Sequence, residues 1–414
     1  MKGSLLHRML NCTLAFGLII VSGCTTAPRQ GSTETAPPAV SPKPTAAPDP
    51  IQDLVNSMTL EEKLGQMVLF GVEGTVLDDT TRNHITKDHV GGFIFFGPNI
   101  KDSHQAWSLF QSMQKENASA KLPLLLGVDQ EGGRVSRLPK ELPAFPASQA
   151  VGAAQDPDYA YKVGSTLAHA LGAFGLNIDF APVLDVNSNL NNPVIGDRSF
   201  GSTAEAVNRM AIPEMKGIQS GGVIPVVKHF PGHGDTSVDS HKELPIVQHD
   251  LQRLRTVEFA PFAEAIRQGA DAVMVAHLLV TKLDPKLPAS LSPVIIQQYL
   301  RGELGFNGVV ITDDMTMEAI GSTMPIDKAA VQAVQAGADI VLVGHEPAKE
   351  RAVLNALLQA AREGALKQET IDASVYRIAK LKTKAKLTKE SVPEPNIEKL
   401  SSDMKSALKR EAKK

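Results

Sequence analysis

Short apolar runs, each ending at a glycine, a proline or an acidic residue, recur along the interior of this chain. Most of them are apolar throughout rather than alternating with polar residues, which is typical of parallel strands covered by helices. We therefore predict eight β-strands, at residues 67–72, 90–96, 122–128, 176–184, 222–227, 272–276, 308–311 and 339–343.

Helical patterns separate these runs. Thr59 followed by Glu62 three residues later matches a reciprocal capping box at a helix start. Residues 258–268 and 347–363 also fit helices. Strand followed by helix, eight times, predicts the α/β class and a single (β/α)8 barrel of the TIM type over residues 50–388.

The first 23 residues have the layout of a secretory signal, with Lys2 and Arg8 ahead of a short apolar stretch at 14–21. The following Val-Ser-Gly-Cys resembles the bacterial lipobox, so Cys24 is expected to carry lipid and to anchor the protein outside the cytoplasm. An uncleaved N-terminal anchor is the alternative. Residues 24–49 are rich in Pro, Thr and Ala and predict an unfolded linker.

The composition excludes some classes of binding partner and some kinds of chemistry. The net charge is −3 over 414 residues, and no basic footprint for nucleic acid is present. Cys12 lies in the signal, so a mature chain beginning at Cys24 has no thiol left for disulfides or catalysis. Residues 389–414 are charged and predict a solvated helical tail.

Polar loops follow the third and fourth predicted strands, where a barrel carries its chemistry. The third strand runs into Asp129 and the Gln-Glu-Gly-Gly-Arg-Val-Ser sequence that leads to Arg137. The fourth is followed by Asp185 and, later, by Arg198. Carboxylates and guanidinium groups suit sugar hydroxyls, and buried ion pairs between loops are the alternative interpretation.

The fifth strand is followed by a segment dense in titratable groups, from Lys228 to His241. A metal site, a purely structural loop and acid/base catalysis are the three interpretations. Metal binding would use ligands from the set His229, His233, Asp235, Asp239 and His241. Lys228 beside these groups disfavours a metal cation.

Proton transfer is the interpretation that we favour for this segment. Asp239 and His241 are two residues apart, so in an extended loop both point to the same side and the carboxylate orients the imidazole. The seventh strand ends at Asp313, which is placed to act as a nucleophile. Asp314 competes with it, because either aspartate could instead cap a helix.

Together these residues resemble glycoside hydrolase family 3, in its β-N-acetylglucosaminidase branch acting on cell-wall fragments, over about residues 50–385. The Lys-His-Phe-Pro-Gly-His-Gly-Asp-Thr string carries most of the likeness. The resemblance implies Asp313 as nucleophile and His241 as acid/base, oriented by Asp239. It implies sugar contacts from Asp129, Arg137, Arg198, Lys228 and His229.

The resemblance therefore implies a retaining hydrolase that removes terminal β-linked N-acetylglucosamine, with no cofactor and no metal. Export favours peptidoglycan fragments as substrates, and chito-oligosaccharides are the second class. We expect a monomer. A family 3 β-glucosidase, a phosphate-using glycosidase and a sugar-binding lipoprotein without turnover are the alternative functions.

Overall fold

The computed structural model describes Gly23, residues 48–240 and residues 242–410. A compact unit spans Pro48–Lys414. The predictions for the signal segment, for Cys24 and for the linker up to residue 47 lie outside the described residues. So does the prediction for His241.

Eight parallel strands form a barrel that is nearly closed. The strands are β1 Val68–Phe70, β2 Gly92–Phe95, β3 Leu125–Val128, β4 Ile178–Asp179, β5 Ile224–Phe230, β7 Ala272–Val275, β9 Val309–Thr312 and β10 Val341–Val343. Each of the eight predicted runs overlaps one of these strands, and β5 and β9 extend past their predicted ends. Their order around the sheet is β10-β1-β2-β3-β4-β5-β7-β9, and a bridge between Ile311 and Ile340 brings β9 beside β10. A separate parallel pair is formed by β6 Ile246–Val247 and β8 Leu279–Val280.

Helices fill the intervals between the strands. The α-helices are α1 Pro50–Asn56, α2 Leu60–Gln66, α3 Asp79–Thr86, α4 Ser103–Glu116, α5 Ser148–Ala153, α6 Pro157–Phe174, α7 Ala204–Ser220, α8 Leu251–Thr256, α9 Phe259–Arg267, α10 Glu318–Gly321, α11 Ile326–Ala336, α12 Pro347–Arg362, α13 Gln368–Lys384 and α14 Ile397–Leu408. A π-helix covers Val294–Glu303, and 3-10 turns cover Gly97–Asn99, Gly196–Arg198 and Ala289–Leu291. No helix among the described residues is long and apolar enough to cross a membrane.

Side-chain caps explain why many of these helices begin where they do. The predicted capping box is present at α2, where Thr59 and Glu62 each accept from the other's backbone N–H. Seven further helices begin at a capping Asp, Thr or Asn side chain, which is worth about 1 kcal/mol each. These caps are Asp49, Asp78, Asp102, Asp156, Thr203, Asp250 and Asn396.

Two predictions about the strands and the tail are corrected. The fifth strand continues three residues past its predicted end and includes Lys228 and His229, because their polar ends find partners inside the barrel mouth. The tail contains the expected helix, α14, but that helix is not fully solvated. Leu400 and Met404 are buried where α14 packs against α6.

A buried aspartate ties the outer helices to the end of the barrel opposite its catalytic mouth. Asp339, just before β10, is fully buried and accepts from Arg301 and Arg377, each at 2.7 Å. It also accepts from Ser374 Oγ and from the backbone N–H of Val310. Two guanidinium groups and two neutral donors satisfy this carboxylate, which joins the π-helix, β9 and α13.

Lys382 on α13 is buried without a carboxylate among its described partners. Its Nζ donates to Gln66 Oε1 at 2.7 Å and to the carbonyl oxygen of Gly91 at 2.9 Å. Burial therefore lowers the pKa of Lys382 from 10.5 to about 7. Between about pH 7 and pH 10.5, Lys382 therefore carries a proton in the unfolded chain but not in the folded chain.

We expect Lys382→Met to flatten the pH dependence of stability. In the wild type this lysine raises the free energy of unfolding as the pH rises from about 7 towards 10.5, by up to about 1.4 kcal/mol per pH unit. Urea unfolding between pH 6 and 9 measures the slope. Lys384→Met, at an exposed position on the same helix, is the matched control and should keep the wild-type slope. Equal slopes for the wild type and Lys382→Met would contradict the assignment.

Candidate active site

A cleft of about 510 Å³ opens at the carboxyl ends of the barrel strands. Eight of the residues singled out in the sequence line it: Asp129, Arg137, Arg198, Lys228, His229, His233, Asp313 and Asp314. Asp239 is half-buried and is not among the described lining residues, although its neighbour Ser240 is. The structure thus brings together side chains that are up to 184 positions apart in the chain, from Asp129 to Asp313.

The loop after β3 presents Arg137 to this cleft. Gly132 and Gly133 turn the loop with φ of +88° and +56°, and a Cβ on Gly132 would lie 2.2 Å from the Pro146 carbonyl oxygen. Gln130 Oε1 accepts from the backbone N–H of Arg137 at 2.7 Å, which holds the end of the loop close to its beginning. The Arg137 Nε is buried and has no hydrogen-bond acceptor among the described residues. It is a donor available to a ligand.

A network of four charges forms the floor of the cleft. Lys228 Nζ lies 2.5 Å from Asp129 Oδ1 and 2.7 Å from Glu131 Oε1. Arg198 forms a bidentate ion pair with Glu131, in which Nε donates to Oε2 and Nη2 donates to Oε1, both at 2.7 Å. Two cations therefore balance two carboxylates, which is what burial of such charges requires.

The network keeps its members ionised although most of them are buried. Burial alone would raise the pKa of Glu131, but Lys228 and Arg198 outweigh it and hold that pKa well below its usual range. Burial alone would lower the pKa of Lys228, but Asp129 and Glu131 raise it above its usual value. Lys228 thus remains a cation at the bottom of the cleft, where it can donate to a sugar hydroxyl.

Asp185, which follows β4, holds the imidazole of His229. Its Oδ2 lies 2.6 Å from His229 Nδ1, and its Oδ1 accepts from the backbone N–H of His233 at 2.7 Å. The guanidinium of Arg198 can only donate, and its Nη2 lies 3.3 Å from His229 Nε2. The imidazole of His229 is thus held between the Asp185 carboxylate at Nδ1 and the Arg198 guanidinium at Nε2.

The imidazole of His233 is neutral. Burial lowers its pKa to about 4. Thr236 donates its hydroxyl hydrogen to the His233 carbonyl at 3.0 Å, so the 2.7 Å contact between Nδ1 and Thr236 Oγ1 has the imidazole as donor. Nε2 then accepts from Ser240 Oγ at 3.3 Å. His233 thus shapes the loop that precedes Asp239.

The loop after β5 is braced by the loop after β4. Asn192 Nδ2 donates to the His233 carbonyl at 2.8 Å, and Ser188 Oγ donates to Asp235 Oδ1 at 3.0 Å. A Cβ on Gly234 would lie 1.8 Å from the Val186 carbonyl oxygen, so only glycine permits this approach. The brace holds the first half of the segment rigidly in place.

The backbone turns at Asp239, which corrects the assumption of an extended loop. The carbonyl of Asp239 accepts from the N–H groups of Lys242 at 2.9 Å and Glu243 at 3.1 Å. In a turn, residues two apart do not share a side by strand alternation, so that argument for pairing Asp239 with His241 does not apply. Their pairing stays a prediction from the family resemblance.

The two adjacent aspartates after β9 have different surroundings. Asp314 Oδ1 accepts from the N–H groups of Thr316 and Gly344, both at 2.9 Å, which ties the ends of β9 and β10 together. Asp313 Oδ1 accepts from the N–H of Asp314 at 2.9 Å, and its side chain lines the cleft. Asp314 thus bears the contacts that join β9 to β10, and both aspartates line the cleft.

The metal interpretation of the Lys228 to His241 segment loses support in this geometry. Both ring nitrogens of His229 are engaged, by Asp185 and Arg198, and both ring nitrogens of His233 are engaged, by Thr236 and Ser240. Within the described residues no group of three or more His, Cys, Asp or Glu side chains is arranged to hold a metal ion.

Sequence reasoning did not single out Glu131, and it named Asp185 without giving it a partner. Glu131 joins Lys228 to Arg198, and Asp185 orients His229. Both stand in loops that were recognised as polar and follow predicted strands, so their position was a usable signal. Their partners lie between 44 and 97 residues away in sequence, and only the barrel brings them together.

A parallel (β/α)8 barrel whose mouth holds a buried ion network and an aspartate at the end of the seventh barrel strand belongs to the class of glycoside hydrolases. Residues 59–381 match the model of the glycosyl hydrolase family 3 N-terminal domain. The chain belongs to glycosyl hydrolase family 3.

Similar proteins agree with this assignment. "Beta-hexosaminidase A" of Pseudoalteromonas piscicida is 36% identical over 75% of this chain, which spans only 56% of that relative's length. "Beta-hexosaminidase" of Alkalilimnicola ehrlichii is 37% identical, over 70% of this chain and 84% of that protein. The family 3 β-N-acetylglucosaminidase of Paenibacillus sp. FPU-7 has a TM-score of 0.79 and 43% identity, over 85% of this chain and 69% of that one. The prediction of a β-N-acetylhexosaminidase is confirmed.

We expect Glu131→Gln to destabilise the protein strongly. The amide cannot balance Lys228 and Arg198, which leaves two buried cations facing Asp129 alone, at a cost of about 3 kcal/mol or more. Urea unfolding at neutral pH measures the loss. Glu369→Gln, at an exposed position on α13, is the matched control and should change stability by no more than about 0.5 kcal/mol. A loss at Glu131 as small as the control's would refute the coupling of these charges.

Proposed function

We propose that this protein is a retaining glycosidase that removes terminal β-linked N-acetylglucosamine through a covalent glycosyl-aspartate. The separation of roles between Asp313 and Asp314 carries the proposal. Both carboxylates line the cleft with the cationic floor, but Asp314 Oδ1 is held by two backbone N–H groups that join β9 to β10, whereas Asp313 Oδ1 accepts from the adjacent N–H of Asp314. A carboxylate in that place can attack the anomeric carbon of a sugar held by the floor.

In the first step Asp313 forms a bond to the anomeric carbon while the glycosidic C–O bond breaks. A protonated His241, oriented by Asp239, gives its proton to the leaving oxygen, as the family resemblance implies. In the second step neutral His241 takes a proton from water, and the water oxygen replaces Asp313 on the anomeric carbon. Two displacements leave the configuration retained and return both residues to their starting states.

The charged floor supplies the sugar contacts of the proposal. Lys228 and Asp129 offer a donor and an acceptor side by side, so they can bind neighbouring hydroxyls. Arg137 adds its buried Nε, which has no acceptor among the described residues. Arg198 and His229 complete the set, and each is fixed by a carboxylate behind it, Glu131 and Asp185.

Peptidoglycan fragments outside the cytoplasmic membrane are the proposed natural substrates, with chito-oligosaccharides as the second class. The support comes from the sequence, where a signal segment, a lipobox-like Cys24 and a Pro-rich linker precede the barrel. An exported and tethered enzyme meets cell-wall sugars there rather than in the cytoplasm. Phosphate in place of water would make the second step a phosphorolysis.

The Asp313 assignment is tested with the compact unit, residues 48–414. We expect release of 4-nitrophenol from its β-N-acetylglucosaminide, and at least about a thousandfold fall in kcat for Asp313→Asn because the nucleophile is lost. Asp314→Asn is the matched control, since asparagine keeps the acceptor oxygen for Thr316 and Gly344, and its loss should be much smaller.

A slow fluorinated N-acetylglucosaminyl donor should label Asp313, as read by peptide mass spectrometry. Label on Asp314, or turnover of the β-glucoside in preference to the N-acetylglucosaminide, would overturn the proposal. Binding of N-acetylglucosaminides without any turnover would indicate a sugar-binding lipoprotein. Loss of activity on exhaustive chelation would restore the metal interpretation.

Cys24→Ala should release the protein from the membrane. The thiol is the proposed attachment point of the lipid, and a single apolar anchor of this kind controls partition between the two phases. Fractionation of cells that express the full chain, with detection by antibody, measures the distribution. Ser22→Ala, two residues upstream, is the control. Equal membrane retention of both variants would instead favour an uncleaved N-terminal anchor.

A further inference from the structure

A stacked pair of rings stands at the rim of the cleft and is not used by the proposed chemistry. The rings of Phe96 and His345 lie 4.4 Å apart between centroids, with 29° between their planes. Both residues line the cleft. Phe96 is half-buried, whereas the side chain of His345 is 56% exposed. One face of the imidazole is covered by Phe96, and its other face is open.

The barrel brings these two residues together across an intervening strand. Phe96 directly follows β2, and His345 follows β10 by one residue, while β1 lies between those strands in the sheet. After β1 the chain has Gly71, where a Cβ would lie 1.9 Å from the Gly344 carbonyl oxygen. The missing side chain lets the loop after β10 fold over the end of β1 towards Phe96.

The position of His345 is held from both sides. A Cβ on Gly344 would lie 2.5 Å from Asp314 Oδ2 and 2.9 Å from Phe96 Cζ, so both neighbours pack directly on the backbone there. Asp314 also accepts from the N–H of Gly344 and lies 3.9 Å from His345 Nε2. Glu346 then takes a φ of +67° and leads the chain into α12. His345 is thus set on a rigid base.

We infer that this ring pair, which we name the Phe96–His345 platform, binds the pyranose ring of the leaving group. The inference rests on the proposed function. The sugar that is cleaved off lies on the charged floor from β3, the Gly196–Arg198 turn and β5, and Asp313 marks its anomeric carbon. Asp314, next in sequence to Asp313, lies 3.9 Å from His345 Nε2, so the platform stands beside the strand end that carries Asp313, where the leaving group of a bound saccharide would extend.

A flat ring face suits the C–H face of a second pyranose better than it suits a charged group. Asp314 lies 3.9 Å from His345 Nε2, and Glu318 lines the same cleft. Ring stacking contributes a modest free energy, enough for a several-fold preference. The platform therefore selects saccharides with a second sugar over N-acetylglucosaminides with a small leaving group.

Calorimetric titration with two ligands tests the platform. The first is thio-linked N,N′-diacetylchitobiose, which is not cleaved, and the second is methyl β-N-acetylglucosaminide. We expect His345→Ala and Phe96→Ala to lower the ratio of disaccharide to monosaccharide affinity roughly three- to tenfold. His345→Phe keeps an aromatic face and should keep the ratio. His104→Ala removes an exposed histidine near Trp107 outside this cleft and serves as the matched control.

Equal weakening of both ligands in His345→Ala would overturn the inference, because it would show a structural role only. An unchanged ratio in both alanine variants, or a wild type that binds the disaccharide no better than the monosaccharide, would overturn it as well. Failure of the proposed function is separate, since it appears as absent turnover of the aryl N-acetylglucosaminide whatever the two affinities are.

Discussion

The pairing of Lys228 with Asp129 and Glu131 is the constraint on which the rest of the site depends. A lysine on a barrel strand, almost fully buried, is tolerated only if carboxylates compensate it within hydrogen-bonding distance. Those carboxylates come from the loop after β3, and the second of them also binds Arg198 from the segment after β4. One buried charge therefore fixes the positions of β5, the loop after β3 and the segment after β4 relative to one another.

The same requirement explains the shape of the cleft. Because the cations and carboxylates satisfy one another, the floor is rigid before any ligand arrives, and a sugar meets donors and acceptors that are already oriented. His229 and His233 extend this order, since Asp185 and Thr236 each lie within hydrogen-bonding distance of the Nδ1 of one imidazole. The first half of the Lys228 to His241 segment thus serves mainly to hold the loops in place.

After β9, backbone hydrogen bonds distinguish the two adjacent aspartates. Asp313 and Asp314 are chemically identical neighbours, yet two N–H groups occupy Asp314 and join the ends of β9 and β10. This junction also seats His345 against Phe96. Asp313, Asp314 and the aromatic rim therefore share one local framework at the ends of β9 and β10.

The eight strands, the capping box at Thr59 and the family could be predicted from the sequence, because apolar runs, a Thr–Glu pair and the Lys228 to Thr236 string are local patterns. The sequence also predicted which loops place polar groups at the barrel mouth, since polar residues follow strands in a barrel. The tertiary structure alone decided that Glu131 serves Lys228 and Arg198, that Asp314 is structural, and that Phe96 meets His345. These outcomes depend on contacts between residues far apart in the chain, and no local pattern encodes them.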